Sequence, residues 1–161
     1  MTSYVFNAPA GVVGDVTRPQ VSIVDSVVIG LAFTGFGQPF KLNGSGQAVP
    51  ILSGDAATVV KGFITRSVPS IGGNFNQGLN DEIPNLETVQ GALKSGYMNV
   101  ACKVGTPVKG GQVFVRITAD TGKLVGDIET AADSGECVAI VGCEFAVGGK
   151  DASNITEIFQ K

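Results

Sequence analysis

Lys109-Gly110-Gly111, inside the stretch GTPVKGGQVFVRIT from Gly105 to Thr118, and Arg116 near its end are the groups best suited to hold an anion. A phosphate loop of the P-loop kind needs a longer glycine-rich segment with Lys-Ser/Thr opening a helix. Here the glycines lead into an alternating apolar run, so the helix N-terminus that would face the anion is missing. The triplet reads as a hairpin corner. Arg116 shares a strand face with Phe114, which favours an exposed or interface position over a core one. Asp127, Glu129 or Glu136 could pair with it inside the domain, and across an interface its planar fork suits a carboxylate.

The remaining ionisable groups do not converge on a reaction. Asp81 and Glu82 are adjacent, and on an extended chain neighbouring side chains point apart, which is poor geometry for an acid–base pair. Asp120, Asp127 and Asp133 stand in separate turns without the spacing of a calcium loop. No serine sits in G-x-S-x-G, and Gly44-Ser45-Gly46 is a flexible turn. The chain has no histidine, which removes the usual general base, triad partner and commonest metal ligand together. The expectation is a protein that is not an enzyme, with no metal and no cofactor.

The three cysteines form no C-x-x-C. On an alternating strand, Cys137, Ala139, Val141, Cys143 and Phe145 share one face. Six residues at ~3.3 Å place Cys137 and Cys143 roughly 20 Å apart, too far for a shared metal or a disulfide. Cys102 falls in register with Met98, Val100 and Val104. All three read as small buried hydrophobes.

The elements that would position these groups are strands. Residues 1–19 form an extended arm, MTSYVFNAPAGVVGDVTRP, where Pro9 and Pro19 favour extended backbone and Gly11 and Gly14 permit bends. It carries Tyr4, Val5, Phe6, Val12 and Val13, so it should pack on its own domain or on a neighbouring subunit. Residues 20–161 are expected to form a single β domain. QVSIVDSVVIGLAF from Gln20 to Phe33 alternates in a strand-like way, and the short runs FKL, AVPIL and TVVKGFIT follow between turn compositions. SVPSIGGNFNQGLN begins a projecting loop at about 67–82 that includes Ile71 and Phe75, and loops of this length are commonly functional. A one- or two-turn helix could start at Pro84 and run through Leu86, Val89 and Leu93, with Gly91 in its middle. The closing third gives four strands, MNVACKV, QVFVRIT, ECVAIVGCEF and NITEIF, with no room for helices between them, so they should pair largely antiparallel. Val113, Val115 and Ile117 face one way, with Phe114, Arg116 and Thr118 opposite. The fold class is all-β: a mainly antiparallel sandwich or barrel, jelly-roll-like or decoration-protein-like, with at most one or two short helices.

Composition narrows the partners. The chain has 161 residues, 23 of them glycine, with 16% charged and a net charge of -3. That length supports one domain with a real core. Eleven basic residues scattered among fourteen acidic ones offer no cationic surface for nucleic acid. No stretch approaches the ~18 consecutive apolar residues of a spanning helix, and the N-terminus lacks the basic region of a secretory signal. A soluble cytosolic product without a membrane partner is expected.

The order of features carries more than any single site. An arm ending in GDVTRP at 14–19 leads into a strand, then Gly-Gln-Pro-Phe at 37–40, GFITRSVPS with Arg66 and Pro69, a long loop, and SGYMNVACKVGTPVKGGQVFVRI; the chain closes on DIETAAD, CVAIVGCEF and NITEIFQ. Over nearly its whole length this succession resembles the structural cement (capsid decoration) proteins of tailed bacteriophages. The resemblance implies a virion protein made in the bacterial host cytoplasm, which binds the outer surface of the matured shell as a small homo-oligomer, a dimer or trimer. Its partners would be itself and the major capsid protein, and it would stabilise contacts between neighbouring capsomers. On that reading Val5, Phe6, Val12, Val13 and Arg18 of the arm, Phe75 of the loop and Arg116 are interface candidates. The competing reading is a tail-associated or carbohydrate- or receptor-binding β-module, which two tyrosines and no tryptophan serve poorly.

Overall fold

The computed structural model describes residues 11–66 and 83–161, and one strand of it, β5 (Val89–Val104), organises the rest. The other strands are β1 (Ile23–Val28), β2 (Pro39–Leu42), β3 (Ala48–Pro50), β4 (Gly62–Ile64), β6 (Gln112–Arg116), β7 (Ile128–Glu129), β8 (Cys137–Phe145) and β9 (Ile155–Gln160). The sixteen residues of β5 at ~3.3 Å each run about 50 Å. That length lets one strand belong to two cores.

The C-terminal half of β5 closes a ring. It pairs antiparallel with β9 from Gly96–Gln160 to Ala101–Ile155 and parallel with β7 at Cys102–Ile128. The path returns through β8 and β6, with β9–β8, β8–β6 and β6–β7 all antiparallel. Of the sandwich and barrel alternatives, this ring is a barrel, and closure leaves it no bare edge. Met98, Val100, Cys102, Val113, Val115, Ile140, Cys143, Phe145 and Ile158 fill it, all essentially without solvent exposure. Pairing is largely antiparallel, as the turn-separated strands demand; the β5–β7 pair is the parallel exception.

The N-terminal half of β5 holds a second sheet, ordered β3-β2-β4-β5-β1. A parallel bridge between Ile29 and Ala48 brings the end of β1 back toward β3. Val27, Ile29, Phe33, Phe36, Phe40, Ala48, Ile64 and Ala92 form its core. Ala92 and Leu93 are both fully buried on opposite faces of β5, one in each core. That two-residue period explains why no helix forms at 84–93. Leu86 and Val89, which would have made the inner face of that helix, are 52% and 66% exposed. Gly91 has a packing reason: a Cβ there would lie 2.3 Å from Thr65 Oγ1 and 3.2 Å from Val24 Cγ1.

One face assignment fails in β8. Cys137, Cys143 and Phe145 are buried, but so is Ile140, while Val141 is 68% exposed. Between the Gln112–Glu144 and Phe114–Ala139 pairs, β8 advances five residues while β6 advances two. A bulge of this size turns the intervening side chains over. Gln112 closes it, its Nε2 donating to Ile140 O at 2.7 Å and Cys143 O at 3.0 Å. The projecting loop expected at 67–82 lies outside the described residues.

Candidate functional site

The arm's end is built into the fold. Gly14 N–H donates to Asn99 O at 2.8 Å, Asn99 N–H to Asp15 O at 3.0 Å, and Thr17 N–H to Tyr97 O at 3.2 Å. Val16 bridges Met98 in antiparallel register. Residues 14–17 and then β1 therefore run along the same side of β5, from Asn99 down to Val89. A Cβ on Gly37 would lie 2.7 Å from Val13 Cγ1, so Val13 is packed against the turn at 34–38 of its own chain. Val12 is half-buried.

Arg18 is likewise engaged within the chain. Its Nη2 is 2.7 Å from Glu157 Oε2, and its guanidinium sits 3.9 Å from the centroid of Tyr97. Thr17 Oγ1 donates to the other oxygen of Glu157. Tyr97 stacks on Phe159 with centroids 4.6 Å apart. These contacts form a clasp that fixes where the arm leaves the barrel. Val5, Phe6 and Phe75 lie outside the described residues.

Arg116 is not an interface residue. It has no solvent exposure, and its fork is spent inside the chain. Nε donates to Glu129 Oε1 at 2.5 Å, Nη1 to Glu136 Oε2 at 2.7 Å and to Thr118 O at 3.1 Å, and Nη2 to Asp133. The segment 118–136 folds back over the outer face of β6 and covers it. The hydrogen bond to Glu129 chiefly holds the Arg116 pKa above its ordinary value. Glu129 and Glu136 are two of the three partners that the sequence offers; Asp127 instead caps its own turn, its Oδ2 accepting from Leu124 N–H at 2.8 Å.

The same clamp predicts a response to acid. Lys123 Nζ lies 2.5 Å from Asp133 Oδ2, and Lys123 first and Arg116 second hold the Asp133 carboxyl below its usual range. A folded-state pKa below the unfolded one gives stability that is fully present above the unfolded value of about 3.9 and fades as pH falls through the folded value. The melting temperature of the wild type should thus exceed that of Asp133→Asn by a constant margin above about pH 5. The margin should shrink below about pH 4. Thermal melts across that range check it.

The other chemical candidates are structural. Gly110 N–H donates to Phe145 O and Phe145 N–H to Gly111 O, at 2.8 and 2.9 Å. The Lys-Gly-Gly corner thus ties β6 to β8. Asp120 Oδ1 accepts from Thr121 N–H in its own turn. Cys102, Cys137 and Cys143 are free and buried. Burial pushes the Cys137 thiol up to about 11 and raises Cys102 and Cys143 as well, so these thiols are poor nucleophiles. Among the described residues, no three His, Cys, Asp or Glu side chains are grouped to hold a metal.

Two surface features stand out instead. The first is an apolar band along β1 and the start of β5. Val21, Ile23, Val24, Val28, Leu31 and Val89 are all exposed, at 36–66%. Val28 and Val89 are cross-strand partners, and Val24 shares their face two pairs along the ladder. The only charge from Pro19 to Leu31 is Asp25. Such bands mark interaction surfaces more often than accidents. The alternating reading of QVSIVDSVVIGLAF misses it, although the run is apolar at both parities, which is its one signal. The second is a groove of about 450 Å³ between the two cores, lined by Val13, Gly35, Phe36, Lys103 and Leu124 among others.

Comparison with known proteins gives a consistent result. The family model described as XM1 gp53 minor capsid protein matches residues 1–159. A chain of the solved structure "The capsid of Myoviridae Phage XM1" superposes with a TM-score of 0.70 at 17% identity, over 99% of this chain and 95% of that one. No curated protein matches the sequence.

Proposed function

Because this chain belongs to the XM1 gp53 minor capsid protein family, we propose that it is a cement protein of a tailed-phage virion. It binds the outer surface of the shell, contacts the major capsid protein, and stabilises the junctions between capsomers as a small homo-oligomer. The observation that carries this reading is the exposed apolar band on β1 and Val89, set on a scaffold whose buried charges are already paired internally. Such a surface serves adhesion, and repetition on a lattice multiplies weak contacts. A structural protein of this kind has no need of catalytic groups. Val5, Phe6 and Val12 of the arm and Phe75 are proposed as further contacts.

The hydrogen bonds of residues 14–17 dictate how the arm is tested: a truncation must stop at Ala10 to spare the sheet. The Val28→Lys/Val89→Lys double variant places two charges in the band at exposed positions. Both that variant and the truncation are expected to reduce co-sedimentation with empty expanded shells at least tenfold while leaving the melting temperature unchanged. Wild-type co-sedimentation by both would reject the reading.

A further inference from the structure

We propose that the groove between the two cores is the seat of this chain's own residues 4–6, Tyr4-Val5-Phe6, before the protein meets a shell. The groove is bordered by Val13, so the chain enters the described structure at its wall. From Gly11 back to Tyr4 is seven residues, at most about 25 Å of extended chain. The segment therefore cannot travel far from the groove without leaving the molecule. Its sequence, MTSYVFNAPA, carries no charged side chain. In an extended segment Tyr4 and Phe6 point the same way and Val5 the other, so two rings can enter a groove together.

The groove has the matching character. Phe36, Ile128 and Ile155 supply apolar wall, and Leu124 at its rim is 60% exposed. Gly35 has an ordinary backbone conformation, and a Cβ at that position would meet nothing within 4 Å, so neither strain nor crowding requires a glycine there. A glycine at that place leaves the floor clear for another chain segment. Tethering favours this chain's own segment over a neighbour's, since a short link gives an effective concentration in the millimolar range. The other segment that starts at the wall follows Arg66, but its Ile71 and Phe75 are separated by glycine and asparagine, and they make no contiguous apolar run. The seat is a property of the free chain. Only its consequence, that shell docking draws the segment out, rests on the cement reading.

Timed chymotrypsin digestion of the full chain, followed by mass spectrometry, tests the seat without any shell. Cleavage after Tyr4 and Phe6 is expected to be at least tenfold slower in the wild type than in Gly35→Phe, which fills the floor. Leu124→Asp, at an exposed rim position, should accelerate it similarly and covers the case in which Gly35→Phe does not fold. Equal cleavage rates in the wild type and a folded groove variant overturn the proposal. So does acceleration confined to Phe75, which would assign the groove to residues 67–82. Protection that grows with protein concentration, together with a larger mass in solution, overturns it too, because a second copy's segment would then be the occupant. Shell binding can fail while the seat holds, and the reverse, so the two readings are separable.

Discussion

Arg116→Met is expected to destabilise the fold by about 3–5 kcal/mol, the usual result of leaving a buried charge without its partner. Against a total of about 5–15 kcal/mol for a domain, that is enough to abolish or broaden the thermal transition. The reason lies in one of the three carboxylates. The side chain of Glu129 is 2% exposed, whereas those of Asp133 and Glu136 are 35% and 38% exposed. Without Arg116, the two outer carboxylates regain water and Lys123 still faces Asp133. Glu129 has no such recourse and must be buried charged or take up a proton.

That asymmetry makes the prediction specific. Glu136→Gln should have a much smaller effect than Arg116→Met, since a partly solvated pair contributes little. The double variant Arg116→Met/Glu129→Met should recover a large part of the loss, because an apolar replacement of both partners leaves nothing unpaired. Denaturant unfolding of the two single variants and the double gives the coupling directly. A double variant no more stable than Arg116→Met alone would show that the pair is not the unit that matters. Loss of the clamp also frees the 118–136 segment, where Asp133 and Ser134 hold positive φ angles of 41° and 58° that unsupported residues avoid.

How much of this is legible without the structure depends on how far each cause reaches along the chain. The strands of the closing third are legible because their alternation is local: Val113 and Val115 are both buried, as their two-residue spacing requires. Alternation also puts Arg116 on the correct face beside Phe114, and two of its three carboxylate partners are among the residues it suggests. Its burial is not legible, since that depends on a return of chain whose contacts are 13 to 20 residues away. The segment 84–93 invites a helical reading because Leu86, Val89 and Leu93 have helical spacing, while the pairing with β1 and β4 that makes it a strand comes from residues as distant as Val24. The burial of the cysteines follows from their neighbours, yet their faces do not, because the β8 bulge is imposed by its register with β6. The apolar band shows the same limit. Apolar residues at both parities suit a strand covered on both sides, and only the topology reveals that β1 has one face outward.

The second large effect is expected at the joint between the two cores. At Gly96, β5 exchanges its neighbours: Ile23 of β1 pairs with Ser95, and Gln160 of β9 pairs with Gly96 itself. The backbone there has φ of 123°, and an added Cβ would lie 2.2 Å from Ser22 Oγ, 2.5 Å from its Cβ and 2.6 Å from its Cα. Rotating the Ser22 side chain cannot relieve this, because the Cα belongs to the backbone. Ser22 Oγ also accepts from Tyr97 N–H at 3.2 Å, so displacing it orphans an amide in the strand. Gly96→Ala should therefore cost about 1–3 kcal/mol for the backbone conformation and about 1–3 more for the overlap. Ser22→Gly in the same chain removes the Oγ and Cβ contacts but not the dihedral strain, so it should restore only the smaller share. Melting temperatures of Gly96→Ala with and without Ser22→Gly separate the two contributions. If Gly96→Ala alone melts with the wild type, then β5 is not held against Ser22 in this way, and the strand common to both cores is not the joint that keeps them in register.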